Sequence, residues 1–158
     1  MRIGVLSDTH GYLNPKIFDL FADVDLILHA GDIGDDRVLT DLEQFAPTRA
    51  VTGNVDGSPT PRRPLRYCDD VACVRVCMTH GHLLDGDDYN LSAYRLFEAE
   101  KPQVIIHGHT HKAKNELIAG VLFLNPGAAG KPRFNDIASV CILDFHTDGE
   151  IVPRFVKL

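Results

Sequence analysis

Apolar residues fall along the chain in short runs that end at polar turns, and the character of the runs changes after His111. Residues 2–7 and 26–29 are mostly continuous apolar runs of strand length, as expected of strands buried on both faces, and residues 48–52 read as a third strand. Between the first two, Pro15 opens a short helix near Asn14 with Ile17, Phe18, Leu20 and Phe21 on its apolar face. Gly34-Asp35-Asp36 opens a second helix, which runs to about Gln44 with Val38, Leu39, Leu42 and Phe45 inward. The two acids of its first turn suit the helix dipole as capping groups. Residues 65–68 and 71–79 read as a hairpin turning at Asp69-Asp70. Residues 89–100 form an amphipathic helix that Pro102 stops, and Val104-Ile105-Ile106 is another buried strand. Beyond His111 only strands follow, over 115–118, 121–124, 137–145 and 151–156. The pattern predicts an α/β fold of βα units followed by a meander that forms much of a second sheet.

The strand ends carry the chemistry. Residues two apart in an extended chain point the same way, about 6–7 Å apart. His109 and His111 stand at that spacing after Val104-Ile105-Ile106-His107-Gly108, and Asp8 and His10 stand at it after the first strand. Such pairs can meet two cations about 3.5–4 Å apart, the separation of two-metal hydrolytic sites. The other strand ends supply Asp32 after Gly31, Asn54 after Gly53 and His80 before Gly81. An Asn between glycines is also ordinary turn chemistry, and Asp8 or His10 can cap a helix. Asp8, His10, Asp32, Asn54, His80, His109 and His111 together exceed what turns require. Two near-octahedral cations sharing one carboxylate need about that many ligands. With no cysteine in the set, harder or borderline metals are expected.

Composition narrows the function. With 158 residues, 44% of them hydrophobic and 24% charged, the chain reads as one domain over 1–158. A formal net charge of −6 argues against general nucleic-acid binding. No apolar run is long enough for a membrane span, and the N-terminus lacks a signal-peptide layout. Cys68, Cys73, Cys77 and Cys141 form no CxxC pair. They read as reduced filler, with Cys73 and Cys77 on one strand face, and a cytoplasmic location is expected. Arg62 and Arg63 lie in a proline-rich loop, solvated or reaching a phosphate.

Asp8-x-His10, Gly31-Asp32, Gly53-Asn54, His80-Gly81-His82 and Gly108-His109-Thr110-His111 resemble, in order, the five motifs of the calcineurin-like metallophosphoesterases. Chain length and Asn125-Pro126-Gly127-Ala128 look most like the small YfcE-like phosphodiesterase branch. The resemblance implies a four-layer αββα sandwich of two mixed β-sheets. It implies one metal held by Asp8, His10, Asp32 and His111, with Asp32 bridging to a second held by Asn54, His80 and His109. The expected ions are two divalent cations, manganese first, with nickel, iron, zinc or cobalt as alternatives. The implied reaction is hydrolysis of a small phosphodiester by a metal-bridging hydroxide, with Asn54 and His82 as catalytic candidates. His82 has no ligand slot, so it would contact substrate or orient a ligand. His29 and His107 are expected to pack within strands, His146 has no visible role, and Asp56 is either a turn carboxylate or a brace for a ligand imidazole. Many relatives carry histidine after the motif asparagine as an acid, whereas this chain has Val55. The other readings are a non-catalytic scaffold of the same fold, like the retromer subunit, and a nuclease, which would need a basic groove. Homo-oligomerisation is left open.

Overall fold

The computed structural model describes residues 1–86, 88–132 and 137–158. Its first sheet contains β1 (Arg2–Leu6), β2 (Leu26–His29), β3 (Thr48–Ala50), β9 (Ser139–Phe145) and β10 (Ile151–Lys157) in the order β10-β9-β1-β2-β3. The second contains β4 (Arg66–Val71), β5 (Val74–Thr79), β6 (Val104–Ile106), β7 (Lys114–Ile118) and β8 (Val121–Asn125) in the order β4-β5-β6-β8-β7. Both sheets are mixed. β1, β2 and β3 run parallel and β9 antiparallel to β1, while β5, β6 and β8 run parallel between antiparallel edges.

Three apolar clusters separate four layers. Ile3, Val5, Leu26 and Leu28 of the first sheet meet Val76, Met78, Val104 and Ile106 of the second. On the outer side of the first sheet, Ile27, Val140 and Ile142 pack with α1 (Lys16–Leu20) and α2 (Asp36–Leu42) through Ile17, Val38, Leu39 and Leu42. Outside the second sheet, Cys77, Ile105 and Phe123 pack with Ala93 and Phe97 of α3 (Tyr89–Phe97). The period-two alternation of each strand sends neighbouring residues to different clusters, so the apolar runs of the sequence are strands covered on both faces. Phe21 fills the space beside Gly4, where an added Cβ would sit 2.8 Å from its ring. Among the described residues, no helix is long and apolar enough to cross a membrane.

Three expectations are corrected. The hairpin turns at Ala72-Cys73, both at positive φ, and Asp69 and Asp70 lie within β4. Two residues at positive φ match the right-handed twist of the flanking strands, which outweighs the turn preference of the two acids. The C-terminal meander does not stay in one sheet: β7 and β8 complete the second, whereas β9 and β10 return to the first. β9 is apolar on both faces, with Cys141, Leu143 and Phe145 between the sheets and Val140 and Ile142 beneath the helices, so beside β1 it is covered twice. The cysteines are not all thiols. Cys68 and Cys77 stand opposite each other on β4 and β5, with Cα atoms 4.2 Å apart, and form a disulfide; Cys73 is exposed in the turn rather than on a strand face. The inference of compartment from reduced cysteines therefore loses its basis.

Phe21 is fully buried, whereas Leu117 on edge strand β7 is 74% exposed. Phe21→Ala should cost about 3–5 kcal/mol in urea unfolding, and Leu117→Ala no more than about 0.5 kcal/mol. Equal losses would show that the cluster under the helices does not hold the first sheet.

Candidate metal centre

The chain stays buried past the ends of β1, β2, β3 and β6 and turns sharply there, at one edge of the sandwich. The turns need unusual backbone. Asp8, His10, Asp32, His109 and His111 all have positive φ, between 49° and 68°. Residues with a Cβ pay about 1–2 kcal/mol for this conformation, so surrounding contacts must impose it. Asp8 N donates to Gly31 O, and His10 N to Asp32 O, at 2.9 and 3.0 Å, tying the β1 loop to the β2 loop. The second sheet joins through His109 N, which donates to Asp8 Oδ2 at 3.2 Å. Gly108 makes that approach possible, because a Cβ there would collide with Ser7 Oγ.

Buried donors converge at this seam. Asp8 is fully buried and Asp32 nearly so. Ligand atoms of Asp8, His10 and His111 lie within 4.8 Å of one another, as do those of Asp8, Asp32 and His80. His111 Nε2 is 3.2 Å from Asp8 Oδ1, and His80 Nε2 is 3.3 Å from Asp32 Oδ1. Asp32 turns its other oxygen, Oδ2, to within 3.9 Å of His10 Nε2. Asn54 Oδ1 lies 3.2 Å from His80 Nε2, and the His109 ring stands 5.2 Å from that of His80, centroid to centroid. All seven expected ligands therefore meet at one place. His80 Nδ1 lies 2.8 Å from Ala30 O, a carbonyl that can only accept, so Nδ1 carries a proton and Nε2 faces the other donors.

The electrostatics follow from burial. Desolvation alone would raise the Asp8 and Asp32 carboxyls, but neighbouring imidazoles outweigh it and lower both, Asp32 to about 2. Burial would likewise lower His80, yet Asp32 and Asp8 raise it above its ordinary value. His109 is lowered by burial and by His80. Asp8 Oδ1 is buried and accepts no aligned hydrogen bond from the described residues. A buried, unsatisfied carboxylate oxygen facing imidazole nitrogens is what a divalent cation would complete, and the oxygen and nitrogen donors fit such an ion.

The remaining candidates separate by environment. The His82 ring lies 5.5 Å from His80 and 6.5 Å from His109, and its Nδ1 has no hydrogen-bond partner among the described residues. No hydrogen bond recorded among the described residues ties it to a ligand. Asp56 is a turn carboxylate: it accepts from Gly34 N and Gly53 N, each at 2.8 Å, and so clamps the loops bearing Asp32 and Asn54. Asp8 and His10 do not cap α1, whose N-cap Pro15 has no side-chain cap, whereas Asp35 caps α2. Arg62 and Arg63 pair with Glu43 and Asp36 at 3.0 and 3.4 Å. His29 is buried in β2 with its pKa lowered to about 4 by burial; Gly31 N donates to its Nδ1, and Nε2 meets Thr9 Oγ1 at 3.0 Å. His107 is buried beside Asn125.

Sequence reasoning assigned no role to Thr9 or to the Asn125 side chain. Asn125 Nδ2 donates to Gly108 O at 2.9 Å and to Thr110 Oγ1 at 3.0 Å, bracing the loop between His107 and His111. Its signal was present, since it is the polar residue ending apolar strand β8.

Residues 1–148 match the calcineurin-like phosphoesterase superfamily domain. The chain belongs to that family. A probable metallophosphoesterase of Methanothermobacter thermautotrophicus is 39% identical over 158 residues, covering 95% of this chain and 88% of that protein. A phosphodiesterase of Methanocaldococcus jannaschii is 29% identical, covering 80% of this chain and 83% of its own length. The crystal structure of wild-type Vps29 from Entamoeba histolytica complexed with zinc superposes with a TM-score of 0.80 at 19% identity, covering 99% of both chains. The αββα architecture is thus that of the calcineurin-like phosphoesterase fold, and divalent metals suit the family and the donor groups alike.

Because Asp8 and Asp32 raise His80, its proton competes with a metal at Nε2. A raised histidine contributes stability to the metal-free fold below its unfolded value near 6.5, and that contribution disappears as pH rises through the folded value. Metal binding should therefore release more protons at pH 6.5 than at pH 8.5, and affinity should climb with pH. Calorimetry in buffers of differing ionisation enthalpy measures the release; no release at pH 6.5 would contradict a protonated His80.

Proposed function

We propose that the chain is a dinuclear-metal-dependent phosphodiesterase acting on small phosphodiesters, with residues 1–158 as its single domain. The observation that carries this reading is the Asp32 carboxylate, whose two oxygens face His80 on one side and His10 on the other. Asp8, His10, Asp32 and His111 would hold one cation, and Asp32, Asn54, His80 and His109 the other. The oxygen and imidazole donors fit a hard or borderline divalent ion, and manganese is proposed first among those named above on the family resemblance. When bound, two such cations acidify a water and neutralise charge on the phosphoryl oxygens. The chain's own residues prepare that chemistry. Ala30 O fixes the His80 tautomer, and the Asp56 clamp sets the separation of Asp32 from Asn54. Val55 N donates to Asp32 Oδ1 at 3.1 Å, orienting the central carboxylate. His82, beside His80 and His109 but bound to neither, can touch substrate or pass a proton to the leaving oxygen.

The likeness to Vps29 keeps a second reading in view, a protein-interaction scaffold on the same fold. The two are separated by metal and turnover. Reconstituted protein should hold close to two divalent ions per chain by elemental analysis and hydrolyse diesters, while Asp32→Ala should lose both ions and its activity. Full metal content in that variant would remove Asp32 from the centre. Metal binding without turnover on any diester would favour the scaffold.

Val55 replaces the histidine that would donate a proton, and a positioned acid contributes about 10²–10⁴-fold to rate. Single-turnover rates on diesters with graded leaving groups should therefore fall steeply as leaving-group pKa rises. His82→Ala should slow alkyl esters more than aryl esters if His82 supplies the proton. A flat dependence in wild type and His82→Ala alike, with chemistry rate-limiting, would require an efficient acid other than His82 and would overturn the argument from Val55.

A further inference from the structure

We infer that Lys131 selects substrates whose non-leaving ester arm ends in a phosphate, held in the cleft on the His10 side of the centre. The inference rests on the phosphodiesterase reading. Two cavities border His10. One is a cleft of about 360 Å³ lined by Thr9, His10, Gly11, Tyr12, Lys131 and Pro132. The other is a smaller recess that reaches Asp8, His10 and His111, and Lys131 lines this as well. Among the described residues, Lys131 is the one lysine or arginine in either lining.

Lys131 is held there from two directions. Ala129 N donates to Ser7 O at 2.8 Å and Gly130 N to Asp8 O at 3.1 Å, which fastens the segment to the loop bearing Asp8. Its ammonium then lies over the Tyr12 ring, 5.2 Å from the centroid. A cation resting on an aromatic face has fewer positions to lose on binding, so it is partly preorganised. No carboxylate pairs with it among the described residues, whereas Arg37, Arg62 and Arg63 are all held by acids. In a chain of net charge −6, Lys131 is, among the described residues, the cation placed in these two cavities to draw an anion toward the centre. A lysine binds phosphate as a point charge and demands no fixed geometry, which suits the free end of a substrate arm. The open cleft has room for such an arm beyond the phosphoryl group at the donors.

Three p-nitrophenyl diesters with one leaving group test this: the ester of thymidine 5′-phosphate bearing a 3′-phosphate, the same ester without it, and the ester of phosphocholine. On metal-loaded protein, kcat/KM should fall in that order, and the preference for the 3′-phosphate should weaken with salt. Lys131→Ala should cut the ratio between the first two about tenfold, and Lys131→Glu should place the choline ester first. Lys112→Ala, which changes net charge equally but lies outside both cavities, should keep the wild-type ratio. A readout independent of turnover uses metal-free protein labelled in its tyrosine rings. Thymidine 3′,5′-bisphosphate should shift the Tyr12 NMR signal in wild type but not in Lys131→Ala. An order insensitive to arm charge, or a Tyr12 shift unchanged in Lys131→Ala, overturns the inference. If wild-type protein hydrolyses none of the three esters, the phosphodiesterase reading fails, and the Tyr12 titration alone decides the role of Lys131.

Discussion

Two carboxylates held out of water at the seam between the sheets are the constraint on which the rest depends. Asp8 and Asp32 are buried with ligand atoms within 4.8 Å of each other. Like charges at that distance in a poorly solvated place cannot both stay ionised without compensation. In the metal-free protein the compensation comes from imidazoles: His80 touches Asp32, His111 touches Asp8, and their charge keeps both carboxyls low. The same imidazoles are the groups a metal would use. Proton and metal therefore compete for one set of lone pairs, and each can supply the positive charge that the two buried carboxylates need.

Holding those charges requires four loops to agree, and the hydrogen bonds between loops show how they do. The β1 and β2 loops exchange backbone bonds, and His29 and Thr9 join them below. Asp56 fastens the loop after β3, and Asn125 fastens the loop after β6. None of these bracing groups needs to meet a cation. Their effect is to make left-handed backbone at five donor positions the lowest state available, although each would relax in an isolated loop.

That division explains what the sequence made legible. Apolar runs located most strands, because a strand covered on both faces has to be apolar throughout, as Leu26–His29 is almost entirely. The seven donors were legible because they sit at strand ends, most of them beside a glycine. Pairing between sheets was not legible: nothing local in Ser139–Phe145 says that it returns to β1, since that choice is made by which apolar face lacks cover. The turn at Ala72-Cys73 was missed because a twist-matched hairpin overrode the turn preference of Asp69-Asp70. Bracing was legible only in part, since Asp56 reads as a turn carboxylate or a brace for an imidazole and the Asn125 side chain carries no role. Asp56 and Asn125 look like turn residues, and only the partners across space give them a second purpose.

The balance between enzyme and scaffold can be weighed in the same physical terms. A binding surface needs shape and exposed contact groups, and nothing in that task requires buried carboxylates or histidines at positive φ. Relaxing His109 or His111 to glycine or asparagine would relieve strain at once, because those residues tolerate the left-handed region. Removing Asp8 would also end the burial of a carboxylate whose charge neighbouring imidazoles have to compensate. This chain keeps the strain and the buried charge together at one place, next to a cleft in which Lys131 stands above Tyr12. Elsewhere among the described residues such backbone occurs at Ala72, Cys73, Lys101 and Ala119, in hairpin turns and after a helix, whereas at the seam it falls on five donors; that supports chemistry there and is the weight behind the enzymatic reading.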